Sequence, residues 1–171
     1  MSLFKFNDSN FLNVPNHPEI VATVDTYNGY QFKVVSDEAV PHATAVEAQA
    51  GDGYIMLNII DKPEIENTDD YKVKAGEHIR GFRLKDIVGL KLDMSADLVT
   101  DTFATVAVGD KLVGRSTEDT TDTMKWKKLA DVTGYEVYLE VIKKTTFGAF
   151  TVDAGGGAVA GGYLVKVVST N

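Results

Sequence analysis

Tyr135-Glu136-Val137-Tyr138-Leu139-Glu140-Val141-Ile142 alternates along most of its length between an inward-looking and an outward-looking set. Successive side chains of a strand point to opposite faces, so Tyr135, Val137, Leu139 and Val141 share one side and Glu136, Tyr138 and Glu140 the other. A period of two is the mark of a half-buried β-strand. Similar runs lie on either side of it. Upstream are residues 78–84 (HIRGFRL), 90–94 (LKLDM), 102–108 (TFATVAV) and 124–129 (MKWKKL). Downstream, residues 147–152 (FGAFTV) and 163–168 (YLVKVV) close the series. With residues 20–25, 30–35 and 54–60 added, strand candidates recur roughly every 8–12 residues, punctuated by Gly and Asp. The fold class expected is all-β, a single barrel-like or sandwich-like domain. Only residues 95–99 (SADLV) offer even a turn of helix.

Two local features refine this expectation. Asn28-Gly29 separates two β-rich runs, and both residue types tolerate positive φ, so the sequence predicts a hairpin there. After Gly51-Asp52-Gly53, the nearly continuous apolar run of residues 54–60 (YIMLNII) reads as a strand buried on both faces. Residues 1–18 differ in character. Phe4, Phe6 and Phe11 sit among Asn, Ser and Asp, and Pro15 and Pro18 end the segment. The chain therefore divides into an extended N-terminal arm, 1–18, and a β-rich domain, 19–171. Phe4 and Phe6 fall on one side of an extended chain, so these two and Phe11 are the candidate partner-binding residues. An arm folded back on its own domain is the competing reading. The acidic stretch 63–70 (PEIENTDD) reads as an exposed loop.

Composition removes functions more readily than it supplies them. The chain has 171 residues, no Cys, 17 Lys and Arg against 25 Asp and Glu, and a net charge of −8. A disulfide framework, thiolate metal sites and a cysteine nucleophile are excluded. A net negative chain is a poor ligand for nucleic acid, which requires clustered cations. No apolar stretch approaches the roughly 18 residues of a membrane-spanning helix, and the first residues lack the pattern of a secretory signal, so neither is expected.

The motifs that suggest chemistry lack their contexts. Residues 155–160 (GGGAVA) match a dinucleotide-binding pattern, but no helix and no acid about 20 residues on follow them. A flexible loop is expected. Residues 109–116 (GDKLVGRS) come within one residue of a phosphate-binding loop, yet Arg115 replaces the required Lys and Glu118, Asp119 and Asp122 follow. His17, His42 and His78 are isolated and read as ordinary surface or turn histidines. The acid pairs Asp37-Glu38, Asp69-Asp70 and Glu118-Asp119 read as solvated loops, without the spacing of a calcium loop. Trp126, flanked by Lys125, Lys127 and Lys128, is expected inside the core, the alternative being a stacking surface. No enzyme activity, cofactor or metal is expected.

One internal echo stands out. Residues 73–81 (VKAGEHIRG) and 106–114 (VAVGDKLVG) share the pattern V-x-x-G-[ED]-x-[IL]-x-G. Gly followed by an acid suits a tight turn with positive φ, and two instances of a common turn are expected rather than a duplicated unit.

The stretch 73–113, with its "GE" and "GD" turns and the intervening residues 89–94 (GLKLDM), resembles tailed-bacteriophage head decoration, or capsid cement, proteins. The resemblance implies a compact β-rich, non-catalytic virion protein on the outer surface of the capsid. Its partner would be the major capsid protein, and homo-oligomers, often trimers, are implied. An acidic surface suits that location better than the DNA-filled interior. The alternatives are a tail-tube or neck subunit, which would form rings or stacks by itself, and a carbohydrate-binding β-module using Trp126.

Overall fold

The structure, a computed structural model, describes residues 14–58, 72–145 and 161–170, together with the backbone of residues 4–6. It is all-β, as the alternation predicts. Eleven strands are described: β1 (Phe4–Phe6), β2 (His17–Ala22), β3 (Gln31–Val35), β4 (Glu38–Val40), β5 (Tyr54–Met56), β6 (His78–Arg83), β7 (Lys91–Ser95), β8 (Lys111–Gly114), β9 (Trp126–Lys128), β10 (Val137–Thr145) and β11 (Gly162–Ser169). Barrel and sheet are both present. Strands β2-β4-β3-β5-β6 close into a small barrel, and β1-β7-β11-β10-β8-β9 form a six-stranded sheet.

The two bodies share a core through the strands that face both. In β5, Met56 points into the barrel with Ile20, Phe32 and Ile79. Its neighbour Ile55 points the other way, with Phe82 of β6, into the layer beneath the sheet. That layer is completed by Leu92 and Met94 of β7, Leu139 and Val141 of β10, and Val165 and Val167 of β11. The two-faced burial expected of this strand is present over Tyr54–Met56; residues 59–60 lie outside the described residues. The inward set is buried, Tyr135 just before β10 and Val137, Leu139 and Val141 within it, and the ladder with β11 is broken only by an irregularity after Val141.

Three expectations are corrected. Asn28-Gly29 does form a tight turn, with the Tyr30 amide donating to the Tyr27 carbonyl at 3.0 Å and Gly29 at φ +91°. It is not a hairpin, because β2 pairs with β4 and β6 while β3 pairs with β4 and β5. The barrel's two-residue hairpin is instead Ser36-Asp37, at φ +51° and +64°, which joins β3 to β4. Neither of its residues is glycine, so a reading keyed to Asn-Gly misses it. Second, residues 102–108 are turns rather than a strand, with the Thr105 hydroxyl returning to the Thr102 carbonyl at 2.8 Å. Third, one short α-helix, α1 (Ala45–Gln49), was not expected. The expected loop at 63–70 and strand at 147–152 lie outside the described residues.

The echoed motifs form one turn, docked twice in the same way. In the first, Glu77 N–H donates to the Lys74 carbonyl at 3.0 Å, with Gly76 at φ +89°. In the second, Asp110 N–H donates to the Ala107 carbonyl at 3.1 Å, with Gly109 at φ +90°. A type II turn requires such a φ at its third residue. Each acid accepts from the first residue of its own turn: Lys74 N–H to Glu77 Oε2 at 2.9 Å, Ala107 N–H to Asp110 Oδ2 at 2.7 Å. Each turn then grips a core residue of the neighbouring strand. Gly76 N–H donates to the Ala22 carbonyl at 2.8 Å, and Ala22 N–H donates back to Glu77 at 2.9 Å. Gly109 N–H donates to the Val141 carbonyl at 2.8 Å, and Val141 N–H donates back to Asp110 at 2.9 Å. The last Gly of each motif allows close approach: a Cβ on Gly81 would lie 2.8 Å from Ile20 Cδ1, and one on Gly114 would lie 2.7 Å from Gln31 Oε1.

The same grip recurs where the motif does not. Gly29 and Tyr30 hold Met56 at 2.9 and 3.0 Å, and Gly89 and Leu90 hold Val167 at 2.8 and 3.0 Å. Recurrence without the surrounding pattern marks a common turn device, not a duplicated segment.

A Cβ on Gly76 or Gly109 would meet nothing within 4 Å, so substitution there isolates the backbone penalty from any clash. Gly76→Ala and Gly109→Ala are each expected to lower unfolding free energy by about 1–2 kcal/mol. The corresponding Asn variants should lose less, since Asn tolerates positive φ better. Urea denaturation of the four variants checks this; equal stability of Ala and Gly forms would remove the φ argument.

Candidate functional site

A concavity of the described surface is built where α1 lies against the barrel. Thr44 caps the helix, its hydroxyl accepting from the Glu47 amide at 3.2 Å. Glu47 reaches back to accept from Ala43 N–H at 2.7 Å and pairs with Lys33 of β3 at 2.6 Å. The helix is too short to persist alone, and these contacts fix it to β3. Between them opens a cavity of about 480 Å³. Val34 and Tyr54 are among its apolar lining, and Lys33, Glu47, Asp52 and Arg83 among its charged lining.

His42 closes the inner end. Its residue is 3% exposed, and its Nδ1 is buried with no hydrogen-bond partner. Its backbone belongs to the seam between barrel and sheet: the His42 carbonyl accepts from Thr117 N–H at 2.8 Å, and Thr117 Oγ1 donates to the Ala43 carbonyl at 2.7 Å. Gly53 leaves room for the imidazole, since a Cβ there would sit 3.2 Å from His42 Nε2. Burial lowers the imidazole pKa from 6.5 to about 4, opposed by Glu47 and assisted by Lys33. His42 is therefore a neutral donor-acceptor at neutral pH, not a cation.

Each charge on the wall has a counter-charge. Beyond Lys33–Glu47, Arg83 pairs with Asp86 at 3.4 Å, and Lys85 bridges Asp52 at 3.4 Å and Glu136 at 2.8 Å. The Lys33 ammonium and the Ala43 amide hold the Glu47 carboxyl below the usual range, and Lys85 does the same for Glu136. The cavity is polar but electrically balanced.

The residues singled out in sequence fall elsewhere. The backbone of Phe4–Phe6 forms β1 and adds to the edge of the chain's own sheet, Phe4 opposite Met94 and Phe6 opposite Leu92. Phe11 lies outside the described residues. Trp126 is 1% exposed, and its indole Nε1 donates to the Gly29 carbonyl at 2.9 Å, so it packs in the core and presents no stacking face. His42 corrects the reading of all three histidines as surface or turn groups; it is buried, with its imidazole beside Gly53. Residues 109–116 are the end of the second Gly-acid turn, β8 and its exit. Arg115 Nη2 donates to the Asp119 carbonyl at 3.0 Å and so serves its own loop. Asp119 accepts from the Ser116 amide at 2.9 Å and from Lys127 at 2.8 Å, so this acid braces a turn instead of standing in solvent. Among the described residues, no three His, Asp or Glu side chains are placed to hold a metal ion. Residues 155–160 lie outside the described residues.

Comparison of the chain with protein-family models, with curated proteins and with solved structures gives no match.

His42 gives the molecule an acid sensitivity of definite sign. Its pKa is depressed in the folded state, so its contribution is fully present above the unfolded value of 6.5 and is lost as pH falls toward about 4. That window corresponds to about 3 kcal/mol. Urea unfolding of the parent and of His42→Leu at pH 7 and pH 4.5 should give a smaller acid-induced loss in the variant. An identical loss in both would show that His42 is not desolvated.

Proposed function

We propose that this chain is a non-catalytic structural protein of a tailed-phage virion, seated on the outer capsid surface and bound to the major capsid protein as a homo-oligomer. The observation that carries the reading is the construction of residues 73–114. The stretch whose rhythm resembles capsid decoration proteins is built from two identically docked Gly-acid turns that launch β6 and β8. Rigid turn-and-strand units of this kind suit a protein whose task is to hold shape against a neighbour. The net charge of −8 agrees with a position away from packaged DNA.

The N-terminal arm supplies a means of attachment. β1 meets the sheet at an edge, through a three-residue ladder with β7. A short edge strand can transfer its backbone pairing to a strand of another chain, and its alternate side chains then select the partner. The Trp126 route to a carbohydrate-binding module loses its basis, because that indole is in the core.

Removal of residues 1–12 tests this directly, because it stops short of Val14, which packs on the core, and of His17, where β2 begins. The truncated protein should melt within a few degrees of the parent and lose capsid binding. Phe4→Ala/Phe6→Ala should weaken each contact by about two to four decades, at roughly 1.5–3 kcal/mol per buried Phe. Full capsid binding by the truncated protein, or a collapse of its melting temperature, would contradict arm-mediated anchoring.

A further inference from the structure

We propose that the cavity between α1 and the barrel is a binding site for a neutral, polyhydroxylated small molecule of the saccharide class. Three observations converge on that chemistry. First, the wall has no charge left to recruit an ion, since Lys33, Asp52, Glu47 and Arg83 are all paired with counter-charges. Lys33 and Arg83 against Glu47 and Asp52 leave the lining without net charge to attract an ion. A neutral ligand needs none.

Second, the paired groups still have hydrogen-bonding capacity. An ammonium carries three donors, a guanidinium five and a carboxylate about four acceptor positions, far more than single ion pairs consume. Charged side chains held in place by one another form a fixed array of donors and acceptors side by side. Hydroxyl groups, which both donate and accept, match such an array better than a carbonyl or an amine alone. His42 also lines the cavity, and its neutral imidazole adds no charge to it. A hydroxyl can pair with either tautomer of a neutral imidazole.

Third, the cavity is partly apolar. Tyr54 and Val34 line it, and Tyr54 is held in place by stacking on Phe32 at 5.9 Å and by the edge of His17 at 5.3 Å. A sugar presents both C–H groups and hydroxyls, and the cavity lining offers apolar and polar partners together. The volume of about 480 Å³ falls within the range of small-molecule sites. Gly53 leaves space beside His42, since a Cβ there would lie 3.2 Å from its Nε2.

This inference does not rest on the virion reading and can fail or succeed separately from it. The test is a two-dimensional amide NMR titration of the full chain at pH 7 with glucose, galactose, N-acetylglucosamine, maltose and lactose. Acetate and inorganic phosphate at the same ionic strength are the comparators. Saturable shifts at Lys33, His42, Gly53, Tyr54 and Arg83 are expected with at least one sugar, with neither anion reproducing them. Gly53→Ala should weaken that binding about tenfold, by placing a methyl beside His42. Asp52→Ala, at a side chain 70% exposed and therefore safe for folding, should weaken it roughly threefold or more. No saturable shift with any of the five sugars would overturn the proposal. So would a preference for acetate or phosphate, or binding unchanged in both variants.

Discussion

The structure depends on a grip made four times by the same few atoms. A glycine with φ near +90° ends a turn, and its N–H and the carbonyl of the next residue close on one residue of the adjacent strand. The residues so held, Ala22, Met56, Val141 and Val167, are all buried. Each grip therefore ties the start of a strand to the core at the point where the strand enters its sheet. Register follows from this. A strand slipped by one residue would turn its apolar set to water, and the grip fixes its first pair. Two of the four grips lie in the barrel and two in the sheet, so both bodies share one rule of assembly.

The bodies are joined by polar contacts as well as by a common core. Gln31 at the start of β3 donates its backbone N–H to the Met124 carbonyl at 2.8 Å, and its side-chain amide reaches the Arg115 carbonyl at 2.8 Å. Trp126 closes the seam from the other side by donating to Gly29. The turn that starts β3 is thus also the contact that seats the sheet's edge strand. His42 lies on the same seam, in parallel bridge with Ser116. The cavity it closes is lined by barrel strands, α1 and the segments joining them.

Parts of this were legible in the sequence, for identifiable reasons. The alternation in β10 announces its buried face because each step of that strand has one wet and one dry side. The Gly-acid echo announces two turns because positive φ and an accepting carboxylate are local requirements. Pairing partners are not local. Asn28-Gly29 makes the turn its residues favour, but the strand before it goes to β4 and β6, a choice set by barrel closure. The hairpin at Ser36-Asp37 is sustained against its own residue preferences because β3 and β4 are held on both sides. The cavity was invisible for a related reason: His42, Gly53 and Arg83 come together only through the barrel. One clue was available. Thr44-x-x-Glu47 carries the spacing of a helix capping box, and reading it would have placed α1 beside His42.

Native-state amide hydrogen exchange tests the grip most directly. If these contacts organise the fold, the amides of Gly29, Gly76, Gly89 and Gly109 should exchange only on global unfolding, with protection equal to that of Ala22, Met56, Val141 and Val167. Turn glycines without such contacts exchange quickly through local opening. Exchange of the four glycine amides at rates typical of exposed loops, while the strand amides stay protected, would show that the turns follow the fold instead of fixing it.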